Sequence, residues 1–222
     1  MQSDMENILL VDSVHLEFGQ KQVLQSVWLS ARTGRVTGVL GRNGAGKSCL
    51  FKCIMGGIRP QNMFIRFNDE DDTDYGHIGC RVKYLPQNLF MPANMTLNDA
   101  FSLYGVDYDG FVTFDTKFHG FQRKRFRELS GGEARMAEMY LVLMSDAEFC
   151  ILDEPFSNIA PYCVEKMQAL ILEQKKNKGI IVSGHMYEAI IEVTDDLFLI
   201  RDGYTFPIKT REDLIRNGYI LR

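Results

Sequence analysis

The sequence predicts an α/β protein with a largely parallel sheet, an antiparallel β part near its start and an inserted helical lobe. Short apolar strands alternate with helical segments along most of the chain, which is the pattern of parallel α/β folds. Residues 88–134 interrupt this alternation with aromatic and methionine residues separated by polar ones. The 222 residues, 45% hydrophobic and 24% charged, suffice for a sizeable core and exclude the disordered and fibrous classes.

The strands are predicted from alternating or continuous apolar runs that are bounded by turn residues. In chain order they are Ile8–Glu17, Val23–Leu29, Val36–Leu40, Met63–Phe67, Arg81–Leu85, Phe149–Leu152, Gly179–Ser183, Leu197–Ile200 and Tyr204–Pro207. The first segments, joined by a turn at Gly19-Gln20, suit an antiparallel addition. The later ones alternate with helices and suit parallel pairing.

Helices are predicted where start and stop residues flank a suitable segment. Thr96 and Asp99 resemble a cap before one helix, Pro161 begins another, and Gly218 caps the last. The predicted helices are Lys47–Gly57, Ala100–Tyr104, Gly132–Ser145, Pro161–Lys176, Met186–Val193 and Asp213–Asn217.

Charge, apolar runs and cysteines indicate a soluble intracellular protein. A net charge of −4 does not favour nucleic acid as a partner. The apolar runs are far shorter than the roughly 18 to 20 residues of a spanning helix, and Asp4 and Glu6 stand where an export signal would be basic. Five cysteines without a CxxC pair favour reduced thiols. Cys49 and Cys53 lack a nearby Cys or His to complete a metal site, so we expect them to be small core residues.

The glycine-rich turn after the strand Val36–Leu40 carries a phosphate-binding pattern. Gly41–Ser48 has the sequence GRNGAGKS, which fits GxxxxGK[ST] between a predicted strand and a predicted helix. Glycines let backbone N–H groups converge on phosphate oxygens, and the helix N-terminus adds partial positive charge. Lys47 should reach the β and γ phosphates of a nucleotide, and the Ser48 hydroxyl should bind Mg²⁺. The strand and helix on either side argue against a plain glycine turn.

A strand that ends in two acidic residues provides a second candidate group. Phe149–Leu152 leads into Asp153 and Glu154, and the carboxyl end of a parallel strand lies beside a phosphate loop. There Asp153 can hold Mg²⁺ through water, and Glu154 can polarise an attacking water. The alternative is a strand that runs into a surface acidic turn, which becomes less plausible beside a phosphate loop.

The run Leu129–Glu133, LSGGE, resembles the signature sequence of ATP-binding cassette (ABC) proteins. By itself, Ser130 before two glycines is a helix cap with an anion-binding N-terminus. The resemblance implies that Ser130, Gly131, Gly132 and Glu133 face the γ-phosphate of an ATP bound to the opposite subunit.

Three further positions match the same family in order. Gln87 matches the Q-loop glutamine, which approaches Mg²⁺ and the attacking water and senses the membrane partner. His185 matches the switch histidine that contacts the γ-phosphate. Phe18 matches the A-loop aromatic that stacks on adenine, although tyrosine is commoner there. The resemblance extends from residue 8 to residue 207.

The resemblance implies an ATPase with the P-loop NTPase (RecA-like) fold. Its catalytic residues would be Lys47, Gln87, Glu154 and His185, and its Mg²⁺ would be held by Ser48, Gln87 and Asp153. The implied nucleotide-binding residues are Phe18, Gly41, Arg42, Asn43, Gly44, Ala45, Gly46, Lys47, Ser48 and Cys49. Residues 1–222 would form one ABC ATPase domain, with the core in 1–87 and 135–222 and the helical subdomain in 88–134.

The function implied is hydrolysis of ATP to ADP and phosphate, which powers a separate transmembrane permease subunit. Two subunits, as a homodimer or a heterodimer, would meet head to tail. They would lie on the cytoplasmic face of the cell membrane, held there by the permease. No nucleic-acid partner is expected.

The sequence departs from the family pattern at two positions. Ala160 stands where the D-loop after Ser157-Asn158 usually has aspartate, which puts that residue's contact across the dimer in doubt. Ala160-Pro161 resembles ATPases of branched-chain amino acid importers, whereas LSGGE and DEPF resemble the lipopolysaccharide-export ATPase. Gly184 stands before His185, where aspartate or a serine-like residue is frequent.

Three other features have plain explanations. Asp69–Asp74 lacks the glycine and glutamate of a calcium loop and suits a solvated turn. Arg123–Arg127 suits a solvated face or a positive flank of the signature motif rather than a nucleic-acid site. Leu89–Met95 is either core or the lining of a groove for a helix of the membrane subunit.

Three other functions are less consistent with the motifs. A soluble ABC ATPase, acting in cluster assembly, DNA maintenance or translation, would use the same residues, but a single cassette without a coiled coil or large insertion speaks against it. A regulatory module that binds ATP without hydrolysing it would lack Glu154 or His185. A GTPase would carry Asn-Lys-x-Asp, whereas Asn177-Lys178 is followed by Gly179-Ile180.

Overall fold

The computed structural model describes residues 6–72, 74–157, 159–185 and 187–220. Asp4, and Asn158 of the predicted D-loop, lie outside these ranges. The strands are β1 Ile8–Phe18, β2 Lys21–Arg32, β3 Val36–Leu40, β4 Asn62–Phe67, β5 Glu70–Asp71, β6 Val82–Leu85, β7 Phe149–Asp153, β8 Gly179–Gly184, β9 Asp196–Arg201 and β10 Tyr204–Ile208. The helices are α1 Lys47–Ile54, α2 Tyr75–Arg81, α3 Leu97–Tyr104, α4 Tyr108–Phe114, α5 Gly131–Met144, α6 Pro161–Gln174, α7 Tyr187–Ile191 and α8 Arg211–Arg216.

These strands form two sheets. One has the order β10-β9-β3-β8-β7-β6, and all its pairs are parallel except the hairpin of β9 and β10. The other has the order β2-β1-β4-β5 and is antiparallel throughout. The predicted fold class, a parallel core with an antiparallel β part, is confirmed.

The three central strands of the parallel sheet, β3, β7 and β8, are buried at every residue. This is expected of strands that are covered on both faces, and it explains why their sequences are continuous apolar runs. Parallel register places their carboxyl ends side by side, with Leu40 opposite Gly184 and Asp153 opposite Ser183. The residues that follow these strands therefore share one edge of the sheet.

The inserted lobe lies between β6 and β7 and is held by packed aromatic rings. The ring centroids of Phe111 and Phe118 are 4.2 Å apart, and those of Phe111 and Tyr140 are 4.9 Å apart. Tyr140 belongs to α5, so this helix is the surface on which the lobe packs. The predicted border between residues 134 and 135 falls inside α5, and the division into subdomains stays a proposal.

Local capping explains where several helices begin. Thr96 accepts a hydrogen bond from the Asp99 N–H at 3.1 Å and starts α3, as predicted, and α6 begins at Pro161. Thr210 caps α8, which starts two residues before the predicted Asp213. No helix within the described ranges is long and apolar enough to cross a membrane.

Helix α2 was not predicted from the sequence. The segment contains Gly76 and Gly79, which disfavour helix, and follows an acidic run that suggested only a solvated turn. In the structure the Asp74 carboxylate accepts a hydrogen bond from the Gly76 N–H at 2.7 Å, and Ile78 is buried. The cap and one apolar anchor therefore outweigh the glycine content, and the following strand begins at Val82 rather than at Arg81.

Candidate active site

The phosphate loop connects β3 to α1 and requires glycine where it approaches the antiparallel sheet. Gly46, the N-cap of α1, has φ +103°, and a Cβ there would lie 2.7 Å from the Leu24 side chain. Glycine is the residue that accepts both conditions. Lys47 follows as the first residue of α1, is 4% exposed, and donates a hydrogen bond from Nζ to the Gly41 carbonyl oxygen at 2.8 Å.

A cleft of about 690 Å³ lies over this loop. It is lined by Phe18, Lys21, Val23, Asn43, Gly44, Ala45, Gly46, Lys47, Ser48, Cys49, Gln87, Glu154, Ser157 and His185. Phe18 is 52% exposed, so its ring is available for stacking on a base. The structure therefore brings most of the predicted site residues around one cavity.

Three single predicted residues and the predicted signature motif do not line this cleft. Gly41 is buried under the loop, and Arg42 is turned outward, where its Nη2 donates to the Gly218 carbonyl oxygen at 2.8 Å. Asp153 is fully buried below the cleft floor.

The carboxylate of Glu154 is the point at which the other site residues meet. Its Oε2 accepts from Gln87 Nε2 at 3.3 Å and from Ser157 Oγ at 3.1 Å, and lies 3.1 Å from His185 Nδ1. Its Oε1 lies 3.5 Å from Lys47 Nζ. Glu154 is only 7% exposed, and a carboxylate this buried requires such partners.

The backbone of Glu154 is held in an unusual conformation. Its φ of +49° is in the left-handed region, which costs a non-glycine residue about 1–3 kcal/mol and persists only where the surrounding structure holds it. The Glu154 N–H donates to Ser183 Oγ at 3.2 Å, and Arg135 Nη2 donates to the Glu154 carbonyl oxygen at 3.4 Å. Neighbouring elements therefore fix the turn that brings the carboxylate into the cleft.

Asp153 is also fully hydrogen-bonded by neighbouring strands. Its Oδ1 accepts from Ser183 Oγ at 2.7 Å, and its Oδ2 accepts from the Tyr84 hydroxyl at 3.0 Å. Burial and the adjacent Asp153 charge raise the pKa of Tyr84 well above its usual range, so this hydroxyl stays protonated and donates.

The residues present fit an Mg²⁺ that arrives with a nucleotide. Ser48 is partly exposed in the cleft, and Ser48 and Gln87 supply oxygen atoms of the kind that Mg²⁺ prefers. Asp153 lies beneath the cleft with both carboxylate oxygens hydrogen-bonded to protein, so it would act on the ion only through water. Across the described ranges, no group of three or more His, Cys, Asp or Glu side chains is arranged to hold a metal ion alone. Phosphate oxygens and water would therefore complete the coordination.

Removing the Ser183 hydroxyl is expected to destabilise this edge of the sheet. Ser183→Ala leaves Asp153 Oδ1 and the Glu154 N–H without their partner, and one buried polar group left unsatisfied costs about 1–3 kcal/mol. Urea unfolding followed by circular dichroism should show a decrease of that size in the free energy of unfolding. Ser102→Ala, on the exposed face of α3, is the control and should leave it unchanged. Equal stability of the two variants would contradict the role given to Ser183.

The signature motif forms a capped helix N-terminus. Ser130 Oγ accepts from the Glu133 N–H at 3.3 Å, and the Ser130 N–H donates to Glu133 Oε2 at 2.8 Å, which lowers the pKa of Glu133. A Cβ added at Gly131 or Gly132 would meet no described atom within 4 Å. Both glycines therefore present open backbone at the start of α5.

The alanine that stands in place of the usual D-loop aspartate lies at the start of α6. Ala160 is the N-cap of α6 and makes no side-chain hydrogen bond there. Ser157, three residues earlier, supplies the hydroxyl that reaches Glu154. Four residues of the site were not indicated by the motifs: Ser157, Tyr84, Ser183 and Arg135.

Comparison with known proteins identifies the family of this chain. The family model described as ABC transporter matches residues 24–157, more than half of the chain. The lipopolysaccharide export system ATP-binding protein LptB of Acidithiobacillus ferridurans is 26% identical over 225 residues, which cover 95% of this chain and 93% of LptB. The galactose/methyl galactoside import ATP-binding protein MglA of Treponema denticola is 26% identical over 215 residues, which cover 88% of this chain and 43% of MglA.

A solved structure described as the ATP binding subunit of an ABC transporter has the same fold. Its TM-score with this chain is 0.79 at 22% sequence identity, covering 95% of this chain and 93% of that one. The predicted family is confirmed by the model that matches residues 24–157. The chain therefore belongs to the ABC transporter family and carries its ATP-binding, ATP-hydrolysing domain.

Proposed function

We propose that Lys47, Gln87, Glu154 and His185 carry out the hydrolysis of ATP in the cleft over the phosphate loop. The observation that supports this assignment is the convergence of the other three side chains on the Glu154 carboxylate, at distances between 3.1 and 3.5 Å. A carboxylate held among donors and beside a phosphate loop suits a base that receives a proton from water.

The reaction needs little covalent help from the protein, because phosphoryl transfer depends mainly on positioning and on charge stabilisation. Water attacks the γ-phosphorus as the bond to the β–γ bridging oxygen breaks, and Glu154 accepts the proton of the water. Lys47 and the N–H groups of residues 43–47 stabilise the phosphate charge, while Gln87 and His185 orient the water and the γ-phosphate. A bound Mg²⁺, held by Ser48 and through water by Asp153, would supply additional positive charge.

The signature motif supports a site completed by a second subunit. ATP-binding subunits of this family dimerise, and we propose a head-to-tail pair of two copies or of this chain and a homologue. In it, the open backbone at Gly131 and Gly132 of one subunit would meet the γ-phosphate bound at Lys47 of the other. The N-terminus of α5 is a suitable anion site, because its free N–H groups carry partial positive charge.

Blocking this open backbone should prevent dimerisation without affecting nucleotide binding. Gly132→Val adds a side chain where this chain has no described atom within 4 Å of the Cβ position, so the fold should tolerate it. We expect the Kd for ATP to stay within about twofold, while the ATP-dependent dimer is lost in size-exclusion chromatography with light scattering and kcat falls at least about tenfold.

Gly79→Val is the matched control, since Gly79 also lies in a helix and its Cβ position is also open. It should dimerise and hydrolyse ATP like the wild type. Normal dimerisation of Gly132→Val would refute the placement of the signature motif across the subunit interface.

The proposal extends to a transmembrane partner, because ATP-binding subunits of transporters in this family act with transmembrane subunits. Next to Gln87, Leu89 is 51% exposed, and Phe90 and Met91 are partly buried. These adaptable apolar side chains suit a partner helix. We place the subunit on the cytoplasmic face of the cell membrane, held there by that partner.

Purification of the native protein from detergent-extracted membranes tests this assignment, with phosphate release measured on the purified complex. Co-purification of a membrane-spanning subunit together with ATPase activity is the expected result. A native protein found only in the soluble fraction, free of any membrane subunit, would overturn the transport role while leaving the ATPase assignment in place.

A further inference from the structure

The loop that carries Gln87 is fastened at both ends to helix α5. At its start, Arg135 Nη1 donates to the Pro86 carbonyl oxygen at 2.5 Å. At its end, Glu138 Oε1 accepts from the N–H groups of Phe90 and Met91 at 2.7 and 2.8 Å. Residues 87–89, between these two points, are exposed. The middle of the loop is therefore the part that these hydrogen bonds to α5 do not hold.

The same arginine also reaches the catalytic strand. Arg135 Nη2 donates to the carbonyl oxygens of Asp153 at 2.9 Å and of Glu154 at 3.4 Å. A guanidinium has several donors in one rigid plane, and here they join the Gln87 loop to the turn of Glu154. Lysine, with a single nitrogen, has no equivalent geometry.

Both side chains are almost completely removed from water, Arg135 being 4% exposed and Glu138 0%. Burial lowers the pKa of Arg135 and raises that of Glu138. Among the residues that the structure describes, Glu138 Oε2 has no hydrogen-bond partner, and it lies 3.9 Å from Arg135 Nη1. A buried pair of this kind contributes little to stability compared with apolar residues of similar size, so its specific contacts require another explanation.

We propose that Arg135 and Glu138 are positioning residues for hydrolysis, which hold both ends of the Gln87 loop against the turn of Glu154. This inference rests on the proposed function and deepens it. The 3.3 Å hydrogen bond from Gln87 to Glu154 depends on the relative position of two segments. Their strands, β6 and β7, pair as far as Leu85 and Leu152, and beyond that pairing Arg135 of α5 contacts both segments. Because α5 begins at the signature motif, the helix that contacts the second ATP also sets the geometry of its own subunit's base.

Substitution of Glu138 should separate catalysis from binding. Glu138→Leu removes the acceptor for two N–H groups, and we expect kcat for ATP to fall about tenfold to a hundredfold, as a displacement of about 1 Å does, with KM within about twofold. Glu138→Gln keeps an acceptor oxygen and should retain kcat within about threefold. In Arg135→Lys, kcat should fall as it does in Glu138→Leu, because lysine keeps the positive charge but cannot join the Gln87 loop to the turn of Glu154.

The double variant Arg135→Met with Glu138→Leu distinguishes positioning from stability. Replacing both buried charges with apolar residues removes the cost of burying them, but it leaves two N–H groups and three carbonyl oxygens without these partners. The melting temperature should therefore fall about as far as in the control below, while kcat is at least about tenfold low. Leu143→Ala, at a buried position near the other end of the same helix, is the matched structural control and should lower the melting temperature with kcat unchanged. Wild-type kcat in the double variant, or an equal loss of kcat in Leu143→Ala, would overturn the proposal.

Hydrogen exchange gives a readout that does not depend on ATPase activity. The amides of Phe90 and Met91 should exchange at least about tenfold faster in Glu138→Leu than in the wild type, since each loses its acceptor. Unchanged exchange would refute the fastening itself. A wild-type chain with slow exchange at these amides but no phosphate release would instead refute the proposed function.

Discussion

Replacing Glu154 with glutamine is expected to lower kcat for ATP hydrolysis by about 10²–10⁴-fold, the usual contribution of a general base. Glutamine is nearly isosteric and can keep the hydrogen bond to Ser157, but its amide does not accept the proton of the attacking water. ATP should therefore bind with close to wild-type affinity. In the dimer proposed above the two subunits meet around bound ATP, so the ATP-bound dimer should accumulate in size-exclusion chromatography with ATP and Mg²⁺ when hydrolysis is blocked.

Glu173→Gln is a suitable control, because Glu173 is an exposed glutamate on α6. It should hydrolyse ATP at the wild-type rate and show no trapped dimer. If Glu154→Gln retained more than about a tenth of the wild-type kcat, Glu154 would not be the base, and the side chains gathered around its carboxylate would need another role.

Strands and helix ends that depend on residues close in the chain could be predicted from the sequence. The short, mainly apolar strands Val36–Leu40 and Phe149–Leu152 are recognisable because a strand covered on both faces tolerates apolar residues on both. The cap at Thr96 and the proline at the start of α6 act within one turn of helix. Helix α2 was missed because its stability depends on the burial of Ile78 against other segments rather than on its own glycine-containing sequence.

The same distinction applies to the site. Lys47 and Glu154 were identified because each follows a strand within a recognisable motif. Ser183 was missed although it lies directly opposite Asp153, because this pairing depends on the order and register of β7 and β8. Arg135 was missed because its three acceptor carbonyls come from two segments, about 20 and 50 residues away in the chain. Motifs thus predict the groups that we propose to contact the nucleotide, whereas the residues that position those groups depend on tertiary packing.

Replacing Lys47 with alanine is expected to weaken ATP binding between about thirtyfold and several thousandfold. Lys47 is buried, and its ammonium group lies among the carbonyl oxygens of Gly41 and Arg42 and the carboxylate of Glu154. Truncating one partner of a buried, hydrogen-bonded charge pair costs about 2–5 kcal/mol, and each 1.4 kcal/mol is tenfold in affinity. The change in Kd is measured by isothermal titration calorimetry with ATP and Mg²⁺.

The lysine is also the residue that separates binding from chemistry. Lys52→Ala removes an exposed lysine from the same helix and should bind ATP normally. Lys47→Met keeps the aliphatic part of the side chain and should lose as much affinity as Lys47→Ala. An equal loss in Lys47→Met and Lys47→Ala would mean that the positive charge is what binds ATP. An unchanged Kd in both Lys47 variants would defeat the assignment of Gly41–Ser48 as the phosphate loop. We expect the Lys47 variants to lose ATP binding and Glu154→Gln to bind ATP without turnover. Together, these results would assign the two sides of the cleft to different steps: phosphate recognition to α1 and activation of water to the end of β7.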